Sequence, residues 1–191
     1  ISQGPKVKQF EEEYAKYIGT KYGLGCNSGS SANLLALSAL IKTGKVKPGS
    51  EVIVPAATFT TVISPIIQNG LKPVFEDCCE AHGSAINGKK VGSFGLISAF
   101  SFFVAHNMTT GEGGMVMTSD DELDDMLRSI REFGRLKKYE PNKPRFYYTD
   151  ETLKDYDERY VFEHIGYNLR MTDIAASLGI EQLKKLDGFN N

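Results

Sequence analysis

The stretch that most constrains the fold covers residues 97–117 and reads ISAFSFFVAHNMTTGEGGMVM. An apolar run extends to Val104 and is closely followed by His106, and a second apolar run covers residues 115–117. The glycine-rich turn TTGEGG, residues 109–114, separates the two runs. Because a short apolar run bounded by turn residues is typical of a buried strand, we expect a rigid strand with His106 held at its end. A polar side chain at such a junction is a candidate for chemistry.

Helical and strand patterns alternate along the rest of the chain. Apolar residues at helical spacing predict helices over residues 5–17, 32–42, 58–69, 119–133 and 174–186. Short apolar or β-branched runs predict strands over residues 22–26, 51–55 and 71–75. In the first helix Glu11 to Glu13 are expected mostly on the solvent side, and in the last helix Leu178 is expected to pack on the core. This alternation predicts an α/β fold with a mostly parallel sheet flanked by helices.

The composition limits what the chain can bind. A length of 191 residues suits one domain, and a net charge of −2 with a pI near 6.0 argues against nucleic acid as a partner. No apolar run has the length needed to cross a bilayer, so no membrane partner is expected. The three cysteines, Cys26, Cys78 and Cys79, have no metal-ligand spacing, and we expect reduced thiols in a cytoplasmic protein without a metal site.

A candidate anion site lies in the first third of the chain. The predicted strand at residues 22–26 runs into Asn-Ser-Gly-Ser-Ser at residues 27–31, and a predicted helix follows. The free N–H groups and the dipole at the start of a helix attract a phosphate or a carboxylate. A serine-rich helix start also serves as an ordinary cap, so the pattern alone leaves both interpretations open.

Three segments carry a resemblance to a known family: residues 1–30, SFFVAHNMTTGEGGMV from Ser101, and YVFEHIGYNLRMTD from Tyr160. They resemble the DegT/DnrJ/EryC1/StrS family, the sugar aminotransferases that use pyridoxal 5'-phosphate (PLP). The resemblance implies that residues 1–191 form the large, PLP-binding domain of the aspartate aminotransferase (type I) fold. In that family a lysine that binds PLP covalently stands at the position of His106. A smaller branch has histidine there and consists of 3-dehydratases of nucleotide-linked 4-keto-6-deoxy sugars.

The same resemblance implies which residues bind the cofactor. Gly29 and Ser30, in the turn that precedes the second helix, are implied to bind the PLP phosphate together with Ser101. Phe59 is implied to stack on the pyridine ring, although most phenylalanines simply belong to a core.

Further implied contacts come from EDCCEAHGS, residues 76–84, and from the segment that starts at Tyr160. Asp77 is implied to bond the protonated pyridine nitrogen, which keeps the ring able to accept electrons, and Glu80 is implied to lie near the phenolic oxygen. His82 is expected either near the cofactor or as a hydrogen-bonded structural histidine. Asn168 is implied to bond the cofactor phosphate of a neighbouring subunit, which predicts a homodimer with shared active sites.

Histidine in place of lysine implies a change of chemistry. Imidazole forms no stable Schiff base but is a good general acid/base. The resemblance therefore implies that His106 moves protons while pyridoxamine 5'-phosphate (PMP) acts on the 4-keto group and the C3 hydroxyl leaves, a step of deoxysugar and lipopolysaccharide O-antigen biosynthesis. A nucleotide sugar is the implied substrate, and glutamate or a similar amino acid is the implied donor that regenerates PMP. Residues 135–159 contain no cysteine, so the iron–sulfur cluster of some histidine-type dehydratases is not expected there.

Two other functions stay open. The TTGEGG turn is common to aminotransferases, so an aminotransferase whose lysine has been substituted is one alternative. A PLP-fold protein that binds without catalysing is the other, although the retained cofactor residues argue against it. The sequence does not distinguish GDP, dTDP, CDP and UDP sugars.

The chain departs from the family near residue 75. KPVF at residues 72–75 runs directly into EDCC, whereas relatives separate these pieces by further strands and helices. A deletion there would leave strands of a buried sheet without partners. We therefore expect the domain to be incomplete, with a family segment missing near residue 75 and the smaller C-terminal domain absent.

Overall fold

Helices and strands alternate over the part of the chain that the computed structural model describes, residues 2–53, 60–74, 82–135 and 160–189. The helices are α1 (Pro5–Ile18), α2 (Gly29–Lys42), α3 (Thr60–Gln68), α4 (Asp121–Arg131), α5 (Asp173–Leu183) and α6 (Leu186–Phe189). The strands are β1 (Tyr22–Cys26), β2 (Glu51–Ile53), β3 (Lys72–Val74), β4 (Ala85–Ile86), β5 (Lys89–Lys90), β6 (Ile97–Ser101) and β7 (Gly114–Thr118). None of the described helices is long and apolar enough to cross a membrane.

A three-stranded sheet supports the candidate site, with β7 between β1 and β6. β7 runs antiparallel to both neighbours, so β1 and β6 point in the same direction. The register pairs Val116 with Leu24 on one side and with Ala99 on the other. Residues 102–113 join β6 to β7 without an intervening helix, and a parallel return would need a crossover. β2 and β3 do form a parallel pair, with α3 between them in sequence.

Helices cover both faces of the three-stranded sheet. On one face α1 and α5 pack against Phe100, Met115 and Met117. On the other face α2 and α4 pack around Leu24 and Val116. Successive side chains of a strand point to opposite faces, so residues 115–117 of β7 alternate between the two cores. The predicted helices on both faces of a sheet are therefore present, but the mostly parallel strand order that was predicted is not found in this sheet, because the direct connection from β6 to β7 makes β7 antiparallel to both neighbours.

α1 buries one residue that the sequence assigned to solvent. Glu11 was expected to be exposed, but it is buried, and its Oε1 accepts hydrogen bonds from the Gly25 N–H (2.8 Å) and from Arg131 Nη1 (2.6 Å). Position 11 follows Val7 by four residues and precedes Tyr14 by three, and both of those residues are buried. Glu11 therefore belongs to the buried stripe of the helix by its spacing, and its partners satisfy its charge there.

α5 also differs from prediction at one position. Leu178 was expected to pack on the core, but it is 53% exposed. The buried residues of the helix are Ala176, Gly179 and Ile180. The ring of Phe10 lies so close to Gly179 that a Cβ there would overlap it. This contact with α1 fixes which side of α5 faces the core and leaves Leu178 outside.

Candidate active site

The start of α2 has the donors that an anion site needs. α2 begins at Gly29, three residues before its predicted start, and Ser28 is its N-cap. The Oγ of Ser28 accepts a hydrogen bond from the Ser31 N–H (3.1 Å), and the Ser31 hydroxyl donates to Asn27 Oδ1 (2.6 Å). The first-turn N–H groups of Gly29 and Ser30 have no acceptor within the helix, as at every helix start. Such groups can bind a phosphate.

The ends of β6 and β7 meet the start of α2 at one point. Ser101, the last residue of β6, pairs with Gly114, the first residue of β7. A Cβ at position 29 would overlap the side chain of Ser101, and a Cβ at position 114 would overlap the backbone of Ser28. Glycine at both positions therefore allows the helix to approach the strand ends. Gly29 and Ser101 are thus in contact, with Ser30 next along the helix.

β6 is shorter than the sequence indicated. The apolar run predicted a buried strand that reaches almost to His106, but β6 ends at Ser101, and Phe103 is 43% exposed. Phe102 and Met108 are completely buried. They fix the two ends of a short connection, residues 102–108, which is named the His106 loop below.

Hydrogen bonds to Phe102 explain where the strand stops. The Phe102 N–H donates to the carbonyl of Gly113 (2.9 Å), and the Phe102 carbonyl accepts from the Thr110 N–H (3.0 Å) and from Thr109 Oγ1 (3.0 Å). The hydroxyl of Thr110 donates to the carbonyl of Glu112 (2.7 Å), and this hydrogen bond stabilises the TTGEGG turn. Both backbone groups of Phe102 are therefore used by the TTGEGG turn, which closes the His106 loop against the end of β6.

His106 lies in the middle of this loop and is half-buried. Its backbone N–H donates to the carbonyl of Phe103 (3.0 Å). Its ring centroid lies 6.2 Å from that of Phe103 and 6.3 Å from that of His82. The candidate base is thus an imidazole on a short, braced loop, and imidazole can both take up and release a proton.

His82 connects the site to α1. Its Nε2 lies 2.8 Å from the carbonyl oxygen of Ser101, and its Nδ1 lies 2.9 Å from the hydroxyl of Tyr14. Burial, with a smaller contribution from Tyr17, raises the pKa of Tyr14 well above its ordinary value of 10.0, so the phenol keeps its proton. His82 is therefore a hydrogen-bonded histidine, as one of its two interpretations held, and its ring lies beside that of His106.

Asn168 lies at the surface, on the segment that follows Tyr160. Its side-chain oxygen accepts hydrogen bonds from Arg170, at 3.2 Å from Nε and 3.1 Å from Nη2. The N–H of Asn27 donates to the carbonyl of Leu169 (3.0 Å). The segment that carries Asn168 therefore runs beside the residues that lead into α2.

Three of the predicted cofactor residues, Phe59, Asp77 and Glu80, lie outside the described residues, and their roles stay predictions. Among the residues that the structure does describe, no group of three or more His, Cys, Asp or Glu side chains could hold a metal ion. Tyr14 is a site neighbour that sequence reasoning missed, because apolar spacing marks the buried side of α1 but not the residues which that side contacts. Its spacing from the buried Phe10 is the signal that marks its burial.

A helix start, the ends of neighbouring strands and a histidine loop thus meet at one edge of the sheet. Ligand sites at strand ends beside a helix N-terminus are typical of α/β enzymes that bind phosphate-bearing ligands. The chain belongs to the DegT/DnrJ/EryC1/StrS aminotransferase family, whose model matches residues 1–77 and 73–191.

Similar proteins agree with this assignment. The dTDP-4-dehydro-2,6-dideoxy-D-glucose 3-dehydratase of Saccharopolyspora spinosa is 35% identical over 254 aligned positions, which cover 100% of this chain and 55% of that protein. The GDP-4-keto-6-deoxy-D-mannose-3-dehydratase of E. coli, solved with bound hydrated PLP, superposes with a TM-score of 0.83 at 31% identity, over 97% of this chain and 61% of that one. A GDP-4-keto-6-deoxymannose-3-dehydratase with a trapped PLP-glutamate geminal diamine gives a TM-score of 0.83 at 30% identity, over 97% and 62%.

These superpositions confirm the predicted fold class, that of the PLP-dependent aminotransferases. The chain spans 55% of the length of the Saccharopolyspora relative and 61–62% of the two solved chains.

Proposed function

We propose that this chain belongs to a PLP/PMP-dependent 3-dehydratase of a nucleotide-linked 4-keto-6-deoxyhexose, an enzyme of deoxysugar and lipopolysaccharide O-antigen biosynthesis. The observation that carries the proposal is histidine at position 106, where the aminotransferases of the family have a lysine that binds PLP. The loop that carries His106 is braced beside Ser101 and His82, so an imidazole is available there instead of a primary amine. The names of the similar dehydratases support the same reaction.

The residues at the start of α2 fit the phosphate of such a cofactor. Gly29 and Ser30 provide first-turn N–H groups, the helix dipole favours a negative charge, and the side chain of Ser101 touches Gly29. We assign phosphate binding to these three residues. When bound, PLP or PMP supplies the electron sink that allows the C3–oxygen bond of the sugar to break.

Other residues of the chain would hold the cofactor ring and move protons. Phe59 is proposed to stack on the ring, Asp77 to bond its nitrogen and Glu80 to lie near its phenolic oxygen. His106 forms no stable covalent bond with the cofactor aldehyde, so these contacts have to hold the cofactor without one. We propose that His106 takes a proton from the methylene carbon of the cofactor and gives a proton to the departing C3 hydroxyl.

The partners of the proposed enzyme follow from the same assignment. Glutamate or a similar amino acid is the proposed donor that restores PMP, and the trapped PLP-glutamate adduct of a solved relative supports this choice. We also propose a homodimer in which Asn168 bonds the cofactor phosphate of the neighbouring subunit. The exposure of Asn168 and its hydrogen bonds from Arg170 support this role, because they present a fixed polar group at the surface. The cytoplasmic location inferred from the cysteines stays a prediction.

The domain organisation is a further proposal. Residues 1–191 would form the large domain and lack a family segment near residue 75. The family model matches the chain in two pieces that overlap at residues 73–77, and the 191 residues align with the Saccharopolyspora relative over 254 positions. Both observations support a junction at that place.

A second candidate function is a nucleotide-sugar aminotransferase whose lysine has been replaced. The family description, which names aminotransferases, favours this candidate. Incubation with a nucleotide 4-keto-6-deoxy sugar and product analysis separate the candidates. Loss of the C3 hydroxyl supports the dehydratase, gain of an amine supports the aminotransferase, and an unchanged sugar supports a binding protein without catalysis.

An absorbance experiment tests the proposed role of histidine most directly. Purified protein is mixed with PLP and then with glutamate, and borohydride reduction and intact-mass measurement follow. We expect reversible PLP binding, conversion to PMP, and an unmodified mass after reduction. A stable covalent adduct would contradict the proposal, because a lysine would then hold the cofactor.

A variant pair tests the base itself. We expect His106→Asn to lower the dehydration rate by about 10²- to 10⁴-fold, the usual contribution of a general acid/base, while PLP still binds. His164→Asn is the matched control, since His164 contacts Gly134 on a different segment, and it should retain the wild-type rate. Equal rates for His106→Asn and wild type would exclude His106 as the base.

A further inference from the structure

The buried contacts of His82 reach two parts of the molecule at once. His82 is only 2% exposed, and each ring nitrogen has a hydrogen-bond partner. The partner on one side is the hydroxyl of Tyr14 on α1, and the partner on the other is the carbonyl of Ser101 at the end of β6. His82 therefore joins the first helix to the strand end that meets α2.

These partners determine which nitrogen of His82 carries the proton. A carbonyl oxygen only accepts, so Nε2 donates its N–H to Ser101. In the neutral imidazole Nδ1 then accepts from the hydroxyl of Tyr14, whose burial raises its pKa and keeps its proton in place. The result is a directional chain of hydrogen bonds from Tyr14 through His82 to Ser101.

Aromatic rings hold the imidazole in this orientation. The ring centroids of Phe100 and Phe102 lie 5.3 and 5.6 Å from that of His82. Both phenyl rings also stand edge-on to the ring of Tyr14, at 5.5 and 5.2 Å. Phe102 is the residue whose backbone closes the His106 loop. A movement of the His82 ring would therefore also move the end of this loop.

We propose that His82 is a positioning residue of the site. With its Nε2–H donated to the Ser101 carbonyl and its Nδ1 bonded to Tyr14, it holds the end of β6 and the ring of Phe102, so that the Ser101 hydroxyl and the His106 loop keep their places. The proposal rests on the proposed function only where PLP binding is measured. The measurements of the His82 tautomer and of amide exchange in the His106 loop need no cofactor.

NMR of the intact protein with ¹⁵N-labelled histidine tests the tautomer. We expect His82 in the Nε2–H form in wild type, and we expect Tyr14→Phe, which removes only the hydroxyl, to shift the Nδ1 resonance while Nε2 keeps the proton that it donates to Ser101. Tyr17→Phe is the matched control, because Tyr17 lies on the same helix and its hydroxyl donates to Asp187 (2.6 Å). An Nδ1–H form of His82 in wild type would overturn the inference.

Amide hydrogen exchange tests the positioning role. His82→Phe keeps a ring but removes both hydrogen bonds, whereas His82→Gln keeps an N–H donor for Ser101. We expect the amide of His106, which is bonded to the Phe103 carbonyl, to exchange about tenfold faster in His82→Phe, with a smaller change in His82→Gln and none in Tyr17→Phe. If circular dichroism shows that His82→Phe does not fold, the exchange rates of His82→Gln and Tyr14→Phe are compared with that of Tyr17→Phe instead. Unchanged exchange in the folded His82 variants would overturn the proposal.

A titration with PLP separates this proposal from the proposed function. We expect the dissociation constant for PLP to rise about tenfold in His82→Phe, the effect of about one lost hydrogen bond, and less in His82→Gln. If wild type binds no PLP, the proposed function fails, and the exchange and tautomer measurements still decide on His82. If wild type and His82→Phe bind PLP equally well, the positioning role fails and the proposed function stands.

Discussion

Two buried polar clusters anchor α1, and they are built in opposite ways. The charged cluster consists of Glu11, Asp124, Arg128 and Arg131, together with the backbone of Gly25. The neutral cluster consists of Tyr14, His82 and the carbonyl of Ser101. Glu11 and Tyr14 are three residues apart on α1, so neighbouring positions of one buried stripe serve the two clusters.

One cluster is charged and the other neutral, and this difference reflects the parts of the fold that each cluster holds together. The charged cluster joins α1, β1 and α4, and a charged group there is useful because it satisfies several partners at once. The neutral cluster holds the strand end beside the His106 loop. A buried charge at that place would change the protonation of the candidate base, whereas a neutral chain of hydrogen bonds fixes geometry without that effect. Neutral anchoring therefore suits the proton transfer that is proposed for His106.

Breaking the charged cluster should have the largest effect on stability. Glu11→Ala leaves Arg131, whose side chain is 4% exposed, without its carboxylate, and removal of one partner from a buried ion pair costs about 3–5 kcal/mol. Denaturant unfolding measures this loss. Glu12→Ala is the matched control, since Glu12 lies one position away and its pair with Lys8 is mostly exposed. A loss as small as that of the control would show that the cluster contributes little.

A change on β7, the strand between the two clusters, tests how closely α2 approaches the strand ends. Gly114 pairs with Cys26 on one side and with Ser101 on the other. Gly114→Ala should cost about 3 kcal/mol, because the new methyl overlaps the backbone of Ser28, which has little freedom to move. Gly29→Ala should cost less, about 2 kcal/mol, since it overlaps a side chain.

The Gly29 and Gly114 variants differ in whether they can be rescued. Adding Ser101→Gly removes the side chain that Gly29→Ala meets, so stability should partly return in that double variant. The same addition should not rescue Gly114→Ala. Rescue of both, or of neither, would contradict the contacts described here. Unfolding free energies of the single and double variants provide the comparison.

Breaking the neutral cluster should cost less than breaking the charged one. Tyr14→Phe leaves Nδ1 of His82 buried without its donor, which we expect to cost about 2 kcal/mol. Tyr17→Phe removes a more exposed hydroxyl and should cost well under about 1 kcal/mol. Thermal or denaturant unfolding distinguishes them. Equal losses would mean that the buried Tyr14 hydroxyl contributes no more to stability than the more exposed Tyr17 hydroxyl.

The smallest expected effect concerns Cys26, which lies next to the charged cluster. Burial raises the pKa of the Cys26 thiol from 9.0 to about 12, against smaller opposing effects of the Ser28 backbone and Arg131. The unfolded thiol ionises first, so stability that is complete below pH 9.0 falls as the pH rises towards about 12. At about pH 10 the loss is about 1.4 kcal/mol. Cys26→Ala should remove this part of the pH dependence of unfolding, and an unchanged slope would contradict the buried thiol.

Local patterns predicted most of the elements that position the site. β1 covers the predicted residues 22–26, and α2 was predicted although it already begins within the Gly/Ser stretch, because caps and apolar spacing are local signals. The end of β6 was predicted wrongly. Phe103 resembles a strand residue, but hydrogen bonds from Thr109 and Thr110 to Phe102 decide where the strand stops, and those form across the loop. The cofactor roles of Gly29, Ser30, Ser101 and Asn168 came from the family resemblance, and no local pattern assigns them.

Local patterns could not predict the buried polar clusters either, because the residues of each cluster are far apart in the sequence. Glu11 looked exposed because it is charged, and its partner Arg131 lies 120 residues further along the chain. Tyr14 and His82 are 68 residues apart. A polar residue at a buried spacing becomes favourable only when the fold brings such a partner to it. The sequence marks the stripe on α1, but only the three-dimensional structure identifies which polar groups complete it.

The His106 loop has buried ends and a half-buried middle. Phe102 and Met108 provide the fully buried packing of its two ends, and this packing does not depend on the side chain at position 106. A lineage can therefore exchange an amine for an imidazole at this position without losing the domain. The type of reaction can then change during evolution while the fold is preserved.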